Sequence, residues 1–250
     1  MDRALFVAMT GARQLLRAQA INNQNLANAS TPGYRQDLAA LRAMPVFGDL
    51  HEGYLPTRVY ALAERPGVDL SAGSHVTTGR SLDVAVDGEG WIAVQAPDGA
   101  QAYTRAGDLR IDPGGLLVTG AGHRVLGNAG PVAVPPAEAV QIGRDGTLSV
   151  RPVGEPATTL AVVDRLRLVR PDPATLIKDR FGLMRTRDGQ PVPPDAAVRL
   201  ASQTLEGSNV NAVTALVQMI ELARGFETQI QMMAALEDND RSSDQLLRLT

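Results

Sequence analysis

The residues of this 250-residue chain that could carry chemistry are few and scattered. His51, His75 and His123 stand apart, with no His-x-x-x-His or Glu-x-x-His pairing to place two ligands on one helix face. They read as surface or loop histidines. Asp83, Asp87 and Glu89 invite a calcium reading, but Asp87-Gly88-Glu89-Gly90 lacks the alternating oxygen ligands and distal glutamate of an EF-hand loop. A turn explains them better. Gly120-Ala121-Gly122-His123-Arg124-Val125 has the start of a dinucleotide fingerprint without its third glycine or a surrounding βαβ unit. There is no Gly-x-Ser-x-Gly elbow and no Walker A loop. With no cysteine, disulfides, thiolate metal sites and a cysteine nucleophile are excluded. No cofactor, metal or catalytic residue is expected, and the chain does not read as an enzyme.

Composition narrows the classes further. Apolar residues make up 44% and aromatics only 4%, so the core must be built from Val, Leu, Ile and Ala. A formal charge of −3 gives no electrostatic reason to expect nucleic acid or anionic lipid as partner. The first ten residues do not read as a secretory signal, since the apolar run stops at Met9. No stretch approaches the roughly 18 consecutive apolar residues of a membrane span.

The elements that would hold any site divide by period. Residues 1 to about 28 predict a helix: Ala4, Ala8, Gly11, Leu15, Ala18, Asn22 and Asn25 follow a 4-3 spacing, with Leu5, Ala12, Leu16 and Leu26 beside them. Ser30-Thr31-Pro32-Gly33 stops it, because Pro32 lacks a donor and pushes Thr31 toward extended backbone. Residues 34–76, broken by Pro45, Gly48, Gly53, Pro56, Pro66, Gly67 and Gly73, read as an extended connector. Residues 77–207 read as all-β. Short apolar runs at 82–86, 91–94, 116–118, 132–134, 148–150 and 166–169 are separated by turn signals. These are Asp87-Gly88, Asp98-Gly99, Pro113-Gly114-Gly115, Asp145-Gly146 and Asp188-Gly189, each a hairpin signal.

From 208 to 250 helix returns. Met219, Leu222, Phe226, Met233, Leu236 and Leu247 fall on a heptad track, with Val213, Leu216, Ile220, Ala223, Ile230 and Ala234 on a second beside it. Ser208 or Asn209 would cap its start, and Met219, Met232 and Met233 read as core filler. The expected fold class is α+β, with long N- and C-terminal helices packed as a coiled-coil-like α domain and a central all-β domain inserted between them. Both helices carry apolar residues on more than one face, and a pair can bury only one face of each. That points to assembly. Asn22, Asn23, Asn25 and Asn28 are poor helix-interior residues. Either they fray the last turn, with Asn28 in a left-handed cap, or Asn22 and Asn25 bond neighbouring helices and fix their register.

Asn25-Leu26-Ala27-Asn28-Ala29-Ser30-Thr31-Pro32-Gly33-Tyr34 closely resembles the N-terminal signature of the flagellar rod and hook proteins, with Gln24 as a mild departure. Two further blocks are similar to that family: Asp83-Val84-Ala85-Val86-Asp87-Gly88-Glu89-Gly90-Trp91 with Tyr103-Thr104-Arg105-Ala106-Gly107, and Leu205-Glu206-Gly207-Ser208-Asn209-Val210-Asn211. Chain length excludes the short rod members and the much longer hook protein, and Trp91 with the forms of the first and last blocks favours a proximal-rod member over its distal-rod relative. The resemblance implies an inner layer of terminal helices with the β domain outside it. It also implies export through the flagellar type III apparatus without a cleaved signal, and residence in the periplasm-spanning basal body. Expected partners are other rod proteins and copies of the chain itself, with no nucleic acid and no membrane insertion.

The candidate assembly interface is Leu5, Ala8, Ala12, Leu15, Asn22, Asn25, Leu26 and Asn28 with Ser208, Asn209, Val210, Leu216, Ile220, Phe226, Ile230 and Met233. The terminal segments are expected to order only when neighbours cover their apolar faces, since isolated helices are marginal in water. Two competing readings are an enzyme on a β scaffold, marked by convergent perturbed groups in a pocket, and a carbohydrate- or peptide-binding β module, marked by a dimer that never polymerises.

Overall fold

The structure is a computed structural model and describes residues 4–39, 41–46, 58–63, 67–154, 156 and 160–248. The chain divides into two compact units. One comprises Met1–Ala27, Asp37–Gly67 and Asn211–Thr250, and the other Asn28–Gln36 and Val68–Val210.

The first unit is built on two helices, α1 (Ala4–Ala27) and α2 (Ala212–Arg248). They run antiparallel: the Asn22 amide reaches the Ala215 carbonyl at 2.8 Å, while a Cβ built on Gly11 would lie 3.2 Å from Gln229 Oε1. The expected coiled-coil pair is not what forms. A knobs-into-holes seam needs large residues on both helices. Here α1 contributes Ala8, Ala18, Asn22 and Asn25 as the buried members of its 4-3 stripe, with Ala12 buried beside them. Met219, Leu222, Phe226, Met233 and Leu236 on α2 are only half-buried, and the side chain of Leu247 lies outside the described residues. Helix length adds to the mismatch. At about 1.5 Å per residue α2 outruns α1 by roughly 20 Å, so its last turns extend past the described part of α1.

The same unit holds an antiparallel hairpin, Leu41–Val46 with Arg58–Ala63, in register from Leu41↔Ala63 to Val46↔Arg58. α1 packs on the strand Arg58–Ala63 as well as on α2. The α1 boundary follows the Ser-Thr-Pro-Gly stop. Asn28 takes no left-handed conformation, Gln203 being the one positive-φ residue other than glycine among the described residues. Instead Asn28 accepts the Thr31 amide at its carbonyl, 3.1 Å away. α2 begins on Asn211, whose side chain accepts from the amides of Val213 and Thr214 at 3.0 and 3.1 Å. That is the geometry of an N-cap, two or three positions later than the sequence suggested.

The second unit is all-β with antiparallel pairing. Its largest sheet runs Leu176–Lys178, Met184–Thr186, Gln101–Thr104, Trp91–Gln95, Arg124–Val125, Leu117–Thr119 and Leu109–Ile111, with Leu168–Val169 also on Trp91–Gln95. Ala137–Ile142, Thr147–Pro152 and Ala161–Arg165 form a three-stranded sheet. Strand alternation explains how one central strand serves two clusters. Ile92 and Val94 enter the large aliphatic core, Trp91 and Ala93 a second cluster with Tyr103, Val169 and Met184. The register Leu168↔Ile92, Val169↔Trp91 and Ala93↔Tyr103 keeps each neighbour on the matching face.

All five predicted turns carry a positive-φ glycine. Those at Gly99, Gly115 and Gly146 close hairpins between paired strands. Asp87-Gly88 and Asp188-Gly189 turn the chain without doing so, because Val84–Asp87 pairs with the distant Arg199–Ser202. The expected strand at 132–134 makes only the bridge Leu116↔Ala133, although Val132 and Val134 are buried.

Candidate functional site: apolar helix faces and a buried Arg–Glu–Arg cluster

What α1 and α2 bury is small, and what they leave outside is large. On α2, Val213, Leu216, Val217 and Ile220 recur at i, i+3, i+4 and i+7 and are 49–72% exposed. They form one apolar stripe, and Ile230 and Met232 are exposed further along the same helix. On α1, Leu5, Phe6, Met9 and Leu16 are 37–59% exposed. Exposed apolar residues in such number make these faces the candidate interaction surface.

The predicted interface residues therefore separate into three groups. Ala8, Ala12, Asn22, Asn25 and Val210 are buried within the chain. Leu15, Leu26, Asn28, Ser208, Asn209, Phe226 and Met233 are half-buried. Leu5, Leu216, Ile220 and Ile230 are open to solvent. Asn22 does meet a helix, the chain's own α2. Asn25 meets backbone: its amide donates to the Asp37 carbonyl at 2.8 Å and its Oδ1 accepts the Asp37 amide at 2.9 Å. The side chain thus imitates a strand neighbour.

In the β unit, sequence reasoning missed a buried ionic cluster. Glu206 is wholly buried. Its Oε1 accepts from Arg35 Nη2 at 2.5 Å and from the Gly73 amide at 3.0 Å, and its Oε2 from Arg105 Nη1 at 3.0 Å. Arg105 also donates to the Gly88 carbonyl at 2.8 Å. Both guanidiniums lie on Trp91, 5.7 Å (Arg35) and 5.3 Å (Arg105) from the ring centroid. Burial is the largest influence on the Glu206 carboxyl and would raise its pKa. The charges of Arg35 and Arg105, with hydrogen bonds from Arg35 and Gly73, together outweigh burial and hold it below the usual range. For Arg105, burial, joined by the charge of Arg35, lowers the pKa more than Glu206 and Glu89 restore it.

Each residue is delivered by a different element. Trp91 opens a central strand and Arg105 follows the end of the next. Glu206 ends the strand Thr204–Glu206, which pairs with His75–Thr77. Gln203, held at φ 58, marks the point where the chain leaves its pairing with Val84–Asp87 for that with His75–Thr77. Arg35 comes from the irregular segment after the Pro-Gly stop.

That segment is laid against residues 206–209 by the Gly33 amide to the Glu206 carbonyl at 2.8 Å, the Asn209 amide to the Tyr34 carbonyl at 3.3 Å, and the Gln36 amide to Asn209 Oδ1 at 2.7 Å. Asn209 donates onward to the carbonyls of Asp69 and Ser71 at 3.0 and 3.2 Å. Its role is therefore a brace, not a cap. Gly33 sits at φ +67 and has no room for a side chain, since a Cβ there would lie 2.2 Å from the Ala106 nitrogen. Lys178 completes the fixing of this segment, with Nζ 2.9 Å from the Arg35 carbonyl and 3.9 Å from the Tyr34 ring centroid.

Asp83 is engaged by Arg80 and by the Thr78 hydroxyl, and His51 lies outside the described residues. Among the described residues no group of three or more His, Asp or Glu could hold a metal. No described helix is long and apolar enough to cross a membrane.

Comparison with known proteins agrees with this geometry. The model of the flagellar hook protein FlgE/F/G D1 domain matches residues 85–150, and that of the flagellar basal body rod FlgEFG protein C-terminal region matches residues 201–246. The chain is 44% identical to the flagellar basal-body rod protein FlgF of Escherichia coli (strain K12), over all of both chains. It is 41% identical, again over all of both, to that of Salmonella typhimurium. It is 30% identical to the flagellar basal-body rod protein FlgG of Agrobacterium fabrum, over 94% of this chain and 96% of the other.

The class so defined is the structural subunits of the flagellar rod and hook. Within it, this chain belongs to the FlgF family of flagellar basal-body rod proteins, and it is a structural subunit of the rod.

Proposed function

We propose that the chain joins the proximal segment of the rod by laying the exposed apolar faces of α1 and α2 against helices of neighbouring subunits, both other rod proteins and copies of itself. It acts through rigidity and connection, with no catalytic step. The observation that carries this is the stripe Val213, Leu216, Val217 and Ile220, left outside by a helix pair that buries mainly alanine and asparagine. Full burial of such a side chain contributes roughly 1.5–3 kcal/mol. Covering what these four still expose contributes about half of that each, or roughly 3–6 kcal/mol for the stripe. A single neighbour gives a marginal contact after the cost of association, whereas several neighbours at once make assembly cooperative. Identity of 44% to the FlgF of Escherichia coli, against 30% to the FlgG of Agrobacterium fabrum, supports the proximal position over the distal one. Delivery by the flagellar type III export apparatus belongs to the same reading.

The test is a Leu216→Asp/Ile220→Asp variant expressed in cells lacking their own copy. It should yield a folded, soluble chain absent from isolated basal bodies. Incorporation at the wild-type level would overturn the proposal, and a stable dimer that never enters a rod would favour a binding module.

A further inference from the structure

We propose that Arg35, Glu206 and Arg105 act as positioning residues for rod assembly. On this reading the cluster sets how the segment leaving α1 and the segment entering α2 lie against one another, and it does not serve to stabilise the β unit. The inference rests on the assembly reading above.

Three observations carry it. First, the cluster gathers residues remote in sequence, 171 positions apart for Arg35 and Glu206 and 101 for Arg105 and Glu206. Two of the three lie in the stretches flanking the helices. The main-chain bonds of Gly33 to Glu206 and of Asn209 to Tyr34, with the Gln36 amide on Asn209 Oδ1, run beside it.

Second, the cluster is poorly built for stability. Two guanidiniums face one carboxylate, which leaves an excess positive charge. Nε and Nη1 of Arg35 and Nε of Arg105 are buried without a hydrogen-bond partner. Desolvating ions costs several kcal/mol each and is repaid only when every donor is satisfied. Apolar residues of similar volume usually replace buried ion clusters at no loss of stability.

Third, the directional bonds allow one arrangement. Oε1 serves Arg35 and Gly73 while Oε2 serves Arg105, so a slip of either segment would strand a buried charge. Apolar contacts would tolerate such a slip. A rod repeats one subunit geometry, and a costly, directional cluster fixes a single arrangement of the two segments that lead to the helices.

The experiment uses the full-length chain with Arg35→Met, Arg105→Met and Glu206→Leu combined. Trp91, the chain's only tryptophan, reports unfolding of the β unit in urea, and incorporation into basal bodies is measured in cells lacking their own copy. The expected result is a urea midpoint at or above that of the wild type together with loss of incorporation and of swimming. A stable triple variant that is incorporated normally overturns the inference. So does a collapsed urea midpoint, because the cluster would then be a stability element. The Leu216→Asp/Ile220→Asp variant, run in parallel, separates the two proposals. If it assembles normally, the assembly reading fails. If it alone is excluded from rods, only the positioning role fails.

Discussion

Replacing Gly33 by alanine should damage the β unit far more than the same change at another glycine of similar backbone conformation. Gly33 lies at φ +67 and Gly99, at a hairpin tip, at φ +84. An L-residue in the left-handed region costs about 1–2 kcal/mol, and that cost is common to both. The surroundings differ. A Cβ at Gly99 meets nothing within 4 Å, whereas one at Gly33 would lie 2.2 Å from the Ala106 nitrogen, 2.3 Å from the Arg105 carbon and 2.6 Å from the Arg105 oxygen. These are backbone atoms, so no side chain can swing aside. Either residues 31–34 lift away, breaking the Gly33 bond to Glu206, or Arg105 shifts off the carboxylate. Overpacking of this kind costs about 1–3 kcal/mol. The expected total is therefore about 2–5 kcal/mol for Gly33→Ala against about 1–2 kcal/mol for Gly99→Ala. Urea unfolding followed by Trp91 fluorescence reads both, and Trp91 lies against the two guanidiniums that would move. Equal losses for the two variants would refute the close approach of residue 33 to residues 105 and 106.

Other consequences follow from the same geometry. Asn211→Ala should cost about 1 kcal/mol and shorten α2 by helicity, while Ser208→Ala should not, because Asn211 carries the cap. Asn25→Ala leaves both backbone groups of Asp37 without their side-chain partner, at about 1–3 kcal/mol; faster amide exchange at Asp37 checks it. Glu206 has a folded-state pKa below its unfolded value. Its contribution to stability is thus fully present above the unfolded value of about 4.3 and is lost as pH falls from there through the folded value. A pH series of urea midpoints should show that acid-side loss in the wild type. In Glu206→Gln this component should be absent, with the whole curve lowered by about 3–5 kcal/mol for the stranded arginines.

The readable parts of the fold were those governed by local chemistry. The Ser30-Thr31-Pro32-Gly33 stop placed the end of α1, and the strand at Trp91–Gln95 could be read from four apolar residues in a row. The 4-3 stripe on α1 is largely its buried side. What escaped was set by partners distant in sequence. The hairpin of Leu41–Val46 and Arg58–Ala63 is masked by Pro45, which pairs opposite Val59. The heptad track on α2 suggested a coiled coil, but whether a heptad becomes a seam depends on what faces it, and here alanine and asparagine do. The Arg35–Glu206–Arg105 cluster had only a faint signal. A lone glutamate sat between Leu205 and Gly207, and its partners lay in or next to the other two blocks shared with the rod family. Nothing in their spacing joined them, since charge pairing across 171 residues leaves no local period.

The most direct measurement uses the chain's lack of cysteine. Val217→Cys on α2 and Val153→Cys on the β unit each give a single thiol at a position 51% or 68% exposed in the wild-type chain. In the free chain both should react with a thiol probe at similar rates. In isolated basal bodies the account predicts that position 217 is protected and can be cross-linked to a neighbouring subunit, while position 153 stays reactive. Equal labelling of position 217 in the free and assembled protein would contradict it.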